Sequence, residues 1–114
     1  MNFETETHGE KTVVTLTEDR LDASMAVKFK NGLQTLVDDG VDYMILNLEH
    51  VGFMDSSGLG AIVALMKYLG PERPLDLACL QPAVDRVFRL TRMDSVFTIH
   101  SSLERATDGA LKSA

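Results

Sequence analysis

The residues best suited to chemistry lie together at positions 53–60, Phe-Met-Asp-Ser-Ser-Gly-Leu-Gly. This segment follows a hydrophobic stretch typical of a strand and precedes a hydrophobic stretch typical of a helix. Four functions suit such a sequence: a nucleophile, a phosphate-binding loop, a helix N-cap, or a serine that receives a phosphate. The carboxylate, the two hydroxyl groups and the two glycines come from Asp55, Ser56, Ser57, Gly58 and Gly60.

Neither an enzyme nor a nucleotide site fits this segment. A nucleophile elbow needs Gly-x-Ser-x-Gly, but Met54 stands two residues before Ser56, and no set of acid, base and nucleophile can be assembled. The dinucleotide pattern Gly-x-Gly-x-x-Gly begins at Gly58 but has Val63 in place of its third glycine, and the P-loop pattern does not occur. We therefore expect a protein that is not an enzyme and binds no nucleotide.

The simplest structural interpretation of the segment is a helix N-cap. Asp55 or Ser56 can accept hydrogen bonds from the free amides of the first turn, and the glycines allow close packing of the helix on a sheet. The helix that follows has almost no polar face between Leu59 and Met66. A helix that is apolar all round is either enclosed or contacts a partner, and the periodicity favours both equally.

The composition indicates one acidic globular domain. The chain has 114 residues, 45% of them hydrophobic, and a net charge of −6 without runs of lysine or arginine, so nucleic acid is not an expected partner. Its longest apolar run is far below the roughly 20 residues that span a bilayer. The N-terminus lacks signal-peptide features, and the single cysteine, Cys79, suits a reducing cytoplasm, which is the expected location.

Strand and helix signals alternate along the chain. Ser24 and Ser101 are the predicted N-caps of the first and last helices, the latter in a capping box with Glu104. This order predicts an α/β domain with a mainly parallel or mixed sheet of four to five strands and about four helices, whose functional crevice lies beyond the carboxyl ends of the strands. The predicted strands are 3–7, 12–17, 43–48, 75–80 and 96–99, and the helices are 24–40, 57–69, 82–90 and a C-terminal helix after 101.

Residues 54–60, Met-Asp-Ser-Ser-Gly-Leu-Gly, resemble the signature of the STAS domain, in particular that of bacterial anti-sigma factor antagonists. The resemblance covers nearly the whole chain and implies a single STAS domain over residues 1–114. Further matches follow in the family's order: Leu21-Asp22 before the first helix, Pro82-Ala83-Val84 at the start of the third, and Met93 to Ile99 with Ser102-Leu103-Glu104 near the end.

The resemblance implies a switch of partners controlled by phosphorylation. In that family the serine after the aspartate, here Ser56, is phosphorylated by a partner that is both anti-sigma factor and serine kinase. The unphosphorylated antagonist binds this kinase and frees a sigma factor, and a PP2C-type phosphatase restores it. ATP and metal belong to the partners, so no cofactor is expected here. The residues expected to contact the partner are Asp22, Ser24, Asp55, Ser56, Ser57, Gly58, Leu59, Ala61 and Leu65.

A phosphate on Ser56 would add a charge of about −1.5 to −2 at a helix N-terminus. We expect the amides of Gly58 and Leu59 and the helix dipole to accommodate it with little refolding. Burying an unpaired dianion under a partner costs several kcal/mol, whereas repulsion by a neighbouring carboxylate is about 1 to 4 kcal/mol at ~4 Å. Desolvation is therefore expected to dominate the switch.

Some interpretations stay open at this level. Asp22 suits a contact with the kinase and a cap ahead of Ser24 equally well. Residues 17–22 form a longer and more charged loop than the family usually has and lack its glycine, and Arg92 stands where the family often has glycine. The alternative function is a STAS-like accessory subunit of a membrane lipid-transport ABC complex, with residues 53–60 as a docking edge. The doubled serine favours the switch.

Overall fold

Strands and helices alternate across residues 2–112, the part of the chain that the computed structural model describes. A short 3-10 helix, Met93–Ser95, precedes the last strand. The strands are β1 (Phe3–His8), β2 (Lys11–Leu16), β3 (Arg20–Leu21), β4 (Met44–Asn47), β5 (Phe53–Met54), β6 (Leu75–Ala78) and β7 (Ile99–His100), and the helices are α1 (Ala23–Asp38), α2 (Ser56–Leu69), α3 (Pro82–Leu90) and α4 (Leu103–Lys112).

Five strands form the main sheet in the order β1-β2-β4-β6-β7. Among the strand pairs within residues 2–112, only the β1–β2 hairpin is antiparallel, and Gly9 turns it with a positive φ of 63°. The other pairs are parallel, so their carboxyl ends meet at one edge. This confirms the predicted α/β fold with a mixed sheet and four helices.

The strands alternate their side chains between two faces of the sheet. Val14 and Leu46 point to one face, where α1, α2 and α3 contribute Phe29, Ile62 and Phe88 to the larger core. On the other face, α4 packs over a smaller apolar cluster. That cluster contains Val13, Ile45, Ala78 and Ala106.

β3 and β5 form a second, two-stranded parallel sheet, with Leu21 opposite Met54. Each of these strands leads directly into a helix, β3 into α1 and β5 into α2. The pairing therefore brings the N-termini of the two helices side by side. Within residues 2–112 no helix is long and apolar enough to cross a membrane.

Three predicted details differ from the structure. The N-cap of α1 is Asp22 rather than Ser24, whose backbone amide instead donates to the Asp22 carboxylate. In α4 the amide of Arg105 donates to the hydroxyl of Ser102, so the cap lies one residue after the predicted Ser101. The last strand starts at residue 99 rather than 96, because the 3-10 helix turns the chain before it.

Candidate functional site

The segment 53–60 lies where β5 ends and α2 begins, at the carboxyl end of the parallel strands. Ser56 and Ser57 occupy the first turn of α2 and are exposed. Asp55 is the N-cap, with an extended backbone, as predicted from the sequence. The structure therefore presents two free hydroxyl groups to solvent at the positive end of a helix dipole.

Asp55 accepts three hydrogen bonds from backbone amides. Its Oδ1 accepts from Gly58 at 3.0 Å, and its carbonyl accepts from Leu59 at 3.0 Å. Its Oδ2 accepts from Ala23, the first residue of α1, at 3.1 Å. The expectation that the Gly58 and Leu59 amides accommodate a phosphate needs correction, because both already bind Asp55.

Asp22 caps α1 in the same way but only within its own helix. Its Oδ1 accepts from the Ser24 amide at 3.0 Å and from the Ser24 hydroxyl at 2.5 Å, and its Oδ2 lies 3.3 Å from Nε of Arg20. The hydroxyl of Ser24, and then its amide and the Arg20 charge, lower the pKa of Asp22. Of the two interpretations of Asp22, the geometry shows the cap.

Gly58 allows α2 to start in close contact with β3. A Cβ atom at Gly58 would lie 2.1 Å from the carbonyl oxygen of Leu21, far inside any allowed contact. At Gly60, two residues further along and on the exposed side of the helix, a Cβ atom would meet nothing within 4 Å. The first glycine is therefore required by packing, whereas the second keeps a surface open.

An open groove of about 230 Å³ runs between α1 and α2. Small side chains form its floor, and Val27, which is 66% exposed, stands on its rim. The sequence interpretation missed Val27, although an apolar residue outside the core stripe of α1 is the signal that could have found it. The lining residues are Ala26, Val27, Lys30, Ser57, Gly60, Ala61 and Ala64.

The apolar helix α2 is mostly enclosed. Leu65 has no exposed surface, and Leu59 and Ala61 are 9% and 7% exposed. The sheet and α1 cover these side chains, so Leu65 lies beneath the surface that a partner can touch, and the other two shape that surface from below. Phe53, on the strand before Ser56, is an exposed apolar side chain beside the site that the sequence interpretation missed.

The charged loop 17–22 is tied to the site. The carbonyl of Asp19 accepts from the amide of Gly52 at 2.8 Å, just before β5. A depression of about 340 Å³ lies beside this loop and is lined by acidic and basic side chains, among them Glu18, Arg20 and Lys28. Among the described residues, no group of three His, Cys, Asp or Glu side chains is placed to hold a metal ion.

Comparison with known proteins shows which family this chain matches. The sequence model of the STAS domain family matches residues 2–106. The anti-sigma-B factor antagonist of Staphylococcus aureus is 27% identical over 105 residues, covering 91% of this chain and 96% of that protein.

Solved structures of relatives have the same fold. An anti-sigma factor antagonist from Mycobacterium paratuberculosis superposes with a TM-score of 0.81 at 26% identity, over 98% of this chain and 92% of that chain. The Bacillus cell fate determinant SpoIIAA in its phosphorylated form superposes with a TM-score of 0.70 at 26% identity, over 94% and 97%. The similarity extends over nearly the full length of each protein.

Proposed function

The chain belongs to the STAS domain family, and we propose that it acts as an anti-sigma factor antagonist controlled by phosphorylation of Ser56. With a free Ser56 hydroxyl, the protein binds an anti-sigma factor that is also a serine kinase, and a sigma factor is released. Phosphorylation ends this complex, and a PP2C-type phosphatase reverses it. The observation that carries the proposal is the exposed hydroxyl of Ser56 in the first turn of α2, where Asp55 already occupies the amides of Gly58 and Leu59.

A phosphate on Ser56 would stay at the surface as a weakly neutralised dianion. Asp55 occupies the amides of Gly58 and Leu59, so the phosphate can gain only the amides of Ser56 and Ser57 and the helix dipole, the latter worth about 0.3 to 1 kcal/mol. Covering that dianion with a partner costs several kcal/mol, and each ~1.4 kcal/mol weakens binding tenfold. One phosphate therefore suffices to end the complex without a change of fold.

The proposed contact surface combines the start of α2 with the exposed side of α1. Ser24 and Val27 lie on α1, and Ser56 and Ser57 lie on α2. Asp22 and Asp55 hold these helix ends in place. Gly58, Leu59 and Ala61 lie just below and determine its shape, and Leu65 makes no direct contact because it is fully buried.

The relatives described above are regulators of sigma factors, and the phosphorylated form of SpoIIAA supports control by phosphate. They favour the switch over the alternative of an accessory subunit in a lipid-transport complex. ATP and metal are assigned to the kinase and the phosphatase. The protein itself is proposed to be a cytoplasmic regulator without catalytic activity.

The test is affinity capture from the host with ATP present, using the wild type, Ser56→Ala and Ser56→Asp as baits. We expect Ser56→Ala to retain a serine kinase and Ser56→Asp to lose it, because only the second carries a charge at the contact. Mass spectrometry of the native protein should locate phosphate on Ser56. Retention of one transporter ATPase by all three baits would contradict the switch.

A charge control separates the position from the charge itself. Ser95 is exposed in the 3-10 helix before β7, at the opposite end of the parallel strands. Ser95→Asp adds the same charge as Ser56→Asp and should retain the kinase like the wild type. Loss of the kinase from both aspartate variants would show that net charge, rather than Ser56, controls binding.

A further inference from the structure

The carboxylate of Asp55 joins two helices that are far apart in sequence. One oxygen accepts from Gly58 in the first turn of α2, and the other accepts from Ala23 at the first position of α1. The carboxylate of Asp22 has no such role, because its amide partner lies in α1 itself. A single anionic side chain thus lies between the positive ends of two helix dipoles.

A simple N-cap does not require this arrangement. Capping needs one side-chain oxygen, and Ser, Asn and Asp serve about equally well. To accept a hydrogen bond from the amide of Ala23 as well, the side chain needs a second oxygen that points toward α1. Asparagine has an NH₂ group in place of that oxygen, and this group can only donate a hydrogen bond. The bridge to α1 is therefore specific to a carboxylate at Asp55.

The bridge lies next to Ser56 and at the head of the groove between α1 and α2. At the other end of the two helices, the hydroxyl of Tyr68 donates to Oδ1 of Asp38 at 2.5 Å. The spacing of α1 and α2 is thus held at both ends, and Asp55 is the tie closest to the phosphorylated serine.

We propose that Asp55 is a positioning residue of the switch: its bridge from α2 to α1 fixes Ser56 relative to the exposed face of α1, so that one partner contacts both. The inference rests on the proposed function, and it assigns to Asp55 a role in docking rather than in phosphoryl transfer. A contact surface built from two helices keeps its shape only while the angle between them is fixed, and a partner that contacts both helices binds less tightly when that shape is lost.

The first test uses the isolated protein. Asp55→Asn and Asp55→Ser each keep an oxygen for the Gly58 amide but lose the acceptor for the Ala23 amide. We expect the NMR signal of the Ala23 amide proton to move upfield and its hydrogen exchange to accelerate, while Gly58 stays close to the wild type. Glu72→Gln, which removes one negative charge from the exposed turn after α2 and keeps the bridge, should leave the Ala23 signal in place. An unchanged Ala23 amide in the Asp55 variants would overturn the bridge.

The second test measures phosphorylation of Ser56 by the serine kinase recovered in the capture experiment. In Asp55→Asn and Asp55→Ser we expect KM to rise about tenfold with kcat retained, because docking is impaired and the serine chemistry is not. Urea unfolding curves of the same variants establish that they are folded. A KM equal to that of the wild type would overturn the positioning role.

A charge-removing variant away from the site, Glu72→Gln, distinguishes geometry from charge in this assay, because Glu72 is exposed in the turn after α2, at the opposite end of that helix from Ser56. If it raises KM as much as the Asp55 variants do, the lost negative charge explains the effect and the positioning role is overturned. Failure of the kinase to phosphorylate the wild type would instead refute the proposed function, and the inference with it. The amide measurements on the isolated protein still report whether the bridge exists.

Discussion

At the scale of single residues, Gly58 and Gly60 have opposite relations to their surroundings. A Cβ atom at Gly58 would lie 2.1 Å from the carbonyl oxygen of Leu21, whereas one at Gly60 would meet no atom within 4 Å. Alanine at Gly58 must therefore push α2 away from β3, which we expect to destabilise the protein by about 1 to 3 kcal/mol or more. Alanine at Gly60 should stabilise it by about 0.5 to 1 kcal/mol, because glycine inside a helix is unfavourable.

Urea denaturation of Gly58→Ala and Gly60→Ala tests this pair directly, since both variants add one methyl group to the same helix. Equal stabilities would contradict the close contact between α2 and β3. We further expect Gly60→Ala to fill part of the groove, so kinase binding and stability should change in opposite directions. That result would show that Gly58 is needed for folding and that Gly60 is needed for partner binding.

The carboxylate of Asp22 offers a second test at this scale. Its lowered pKa comes first from the Ser24 hydroxyl and, to a smaller extent, from the charge of Arg20. A carboxylate with a lowered pKa stabilises the folded state at neutral pH, and this contribution is lost as the pH falls through its folded pKa. Ser24→Ala should therefore raise the pKa of Asp22, and Arg20→Gln should raise it less. An NMR titration of the carboxyl carbon measures both; no change in Ser24→Ala would contradict the hydrogen bond.

At the scale of elements, the long helices and buried strands were predictable because each carries a periodic pattern. The strand β4 and the helix α2 lie close to their predicted bounds. The strands β3 and β5 were missed because each has only two residues, too few for any period. The predicted strand 96–99 began too early because Phe97 is apolar for another reason: it packs against Phe88 from the segment before β7, and Val96 is exposed.

In the candidate site too, features set by local sequence were predictable, and features set by contacts between distant segments were not. The cap at Asp55 follows from its residue type at the end of a strand, and the structure confirms it. The bond from Asp55 to Ala23 joins residues that are 32 positions apart and depends on the pairing of β3 with β5. Local sequence carries no signal for such a contact. The burial of Leu65 likewise depends on how α1 covers α2.

The packing of α3 against the rest of the domain predicts how much this helix contributes to stability. This helix buries only Val84 and Phe88, and the Phe88 ring meets that of Phe97 edge-on at 5.9 Å between centroids. Phe88→Ala should therefore cost about 3 to 5 kcal/mol, a large part of the stability of a domain this size. Leu90→Ser, in the same helix but 78% exposed, should change stability by less than about 0.5 kcal/mol. Similar unfolding midpoints for both variants would contradict this packing.

At the scale of the whole molecule, the two faces of the sheet do different work. The face under α1 and α2 supports the proposed switch, whereas the face under α4 buries polar groups. There Asp76, which is 6% exposed, accepts from the Tyr43 hydroxyl at 2.9 Å and lies 3.0 Å from Nε2 of His100. Lys11 lies over the Tyr43 ring and donates to the carbonyl of Ala106 in α4. The C-terminal helix is thus attached partly through this polar cluster.

We expect this cluster to make the stability of the fold decrease at alkaline pH. Burial, the hydrogen bond to Asp76 and its charge together raise the pKa of Tyr43 from 10.0 to about 12. A raised pKa means that neutral Tyr43 contributes stability fully below pH 10, and that this contribution disappears as the pH rises through about 12. Above that pH a tyrosinate would face the Asp76 carboxylate, and we expect the attachment of α4 to fail.

Urea unfolding between pH 9 and 12 measures the free energy of unfolding of the wild type and of Tyr43→Phe. This pH range includes both the ordinary and the raised pKa of Tyr43. The stability of the wild type should fall more steeply than that of the variant, whose ring cannot ionise. Asp76→Asn should lower the pKa of Tyr43, detected by tyrosinate absorbance, because it removes the facing charge. Tyr68, whose pKa is also raised, is present in all three proteins, so its ionisation contributes equally to each measurement. Parallel pH profiles for the wild type and Tyr43→Phe would show that the cluster under α4 does not control stability at high pH.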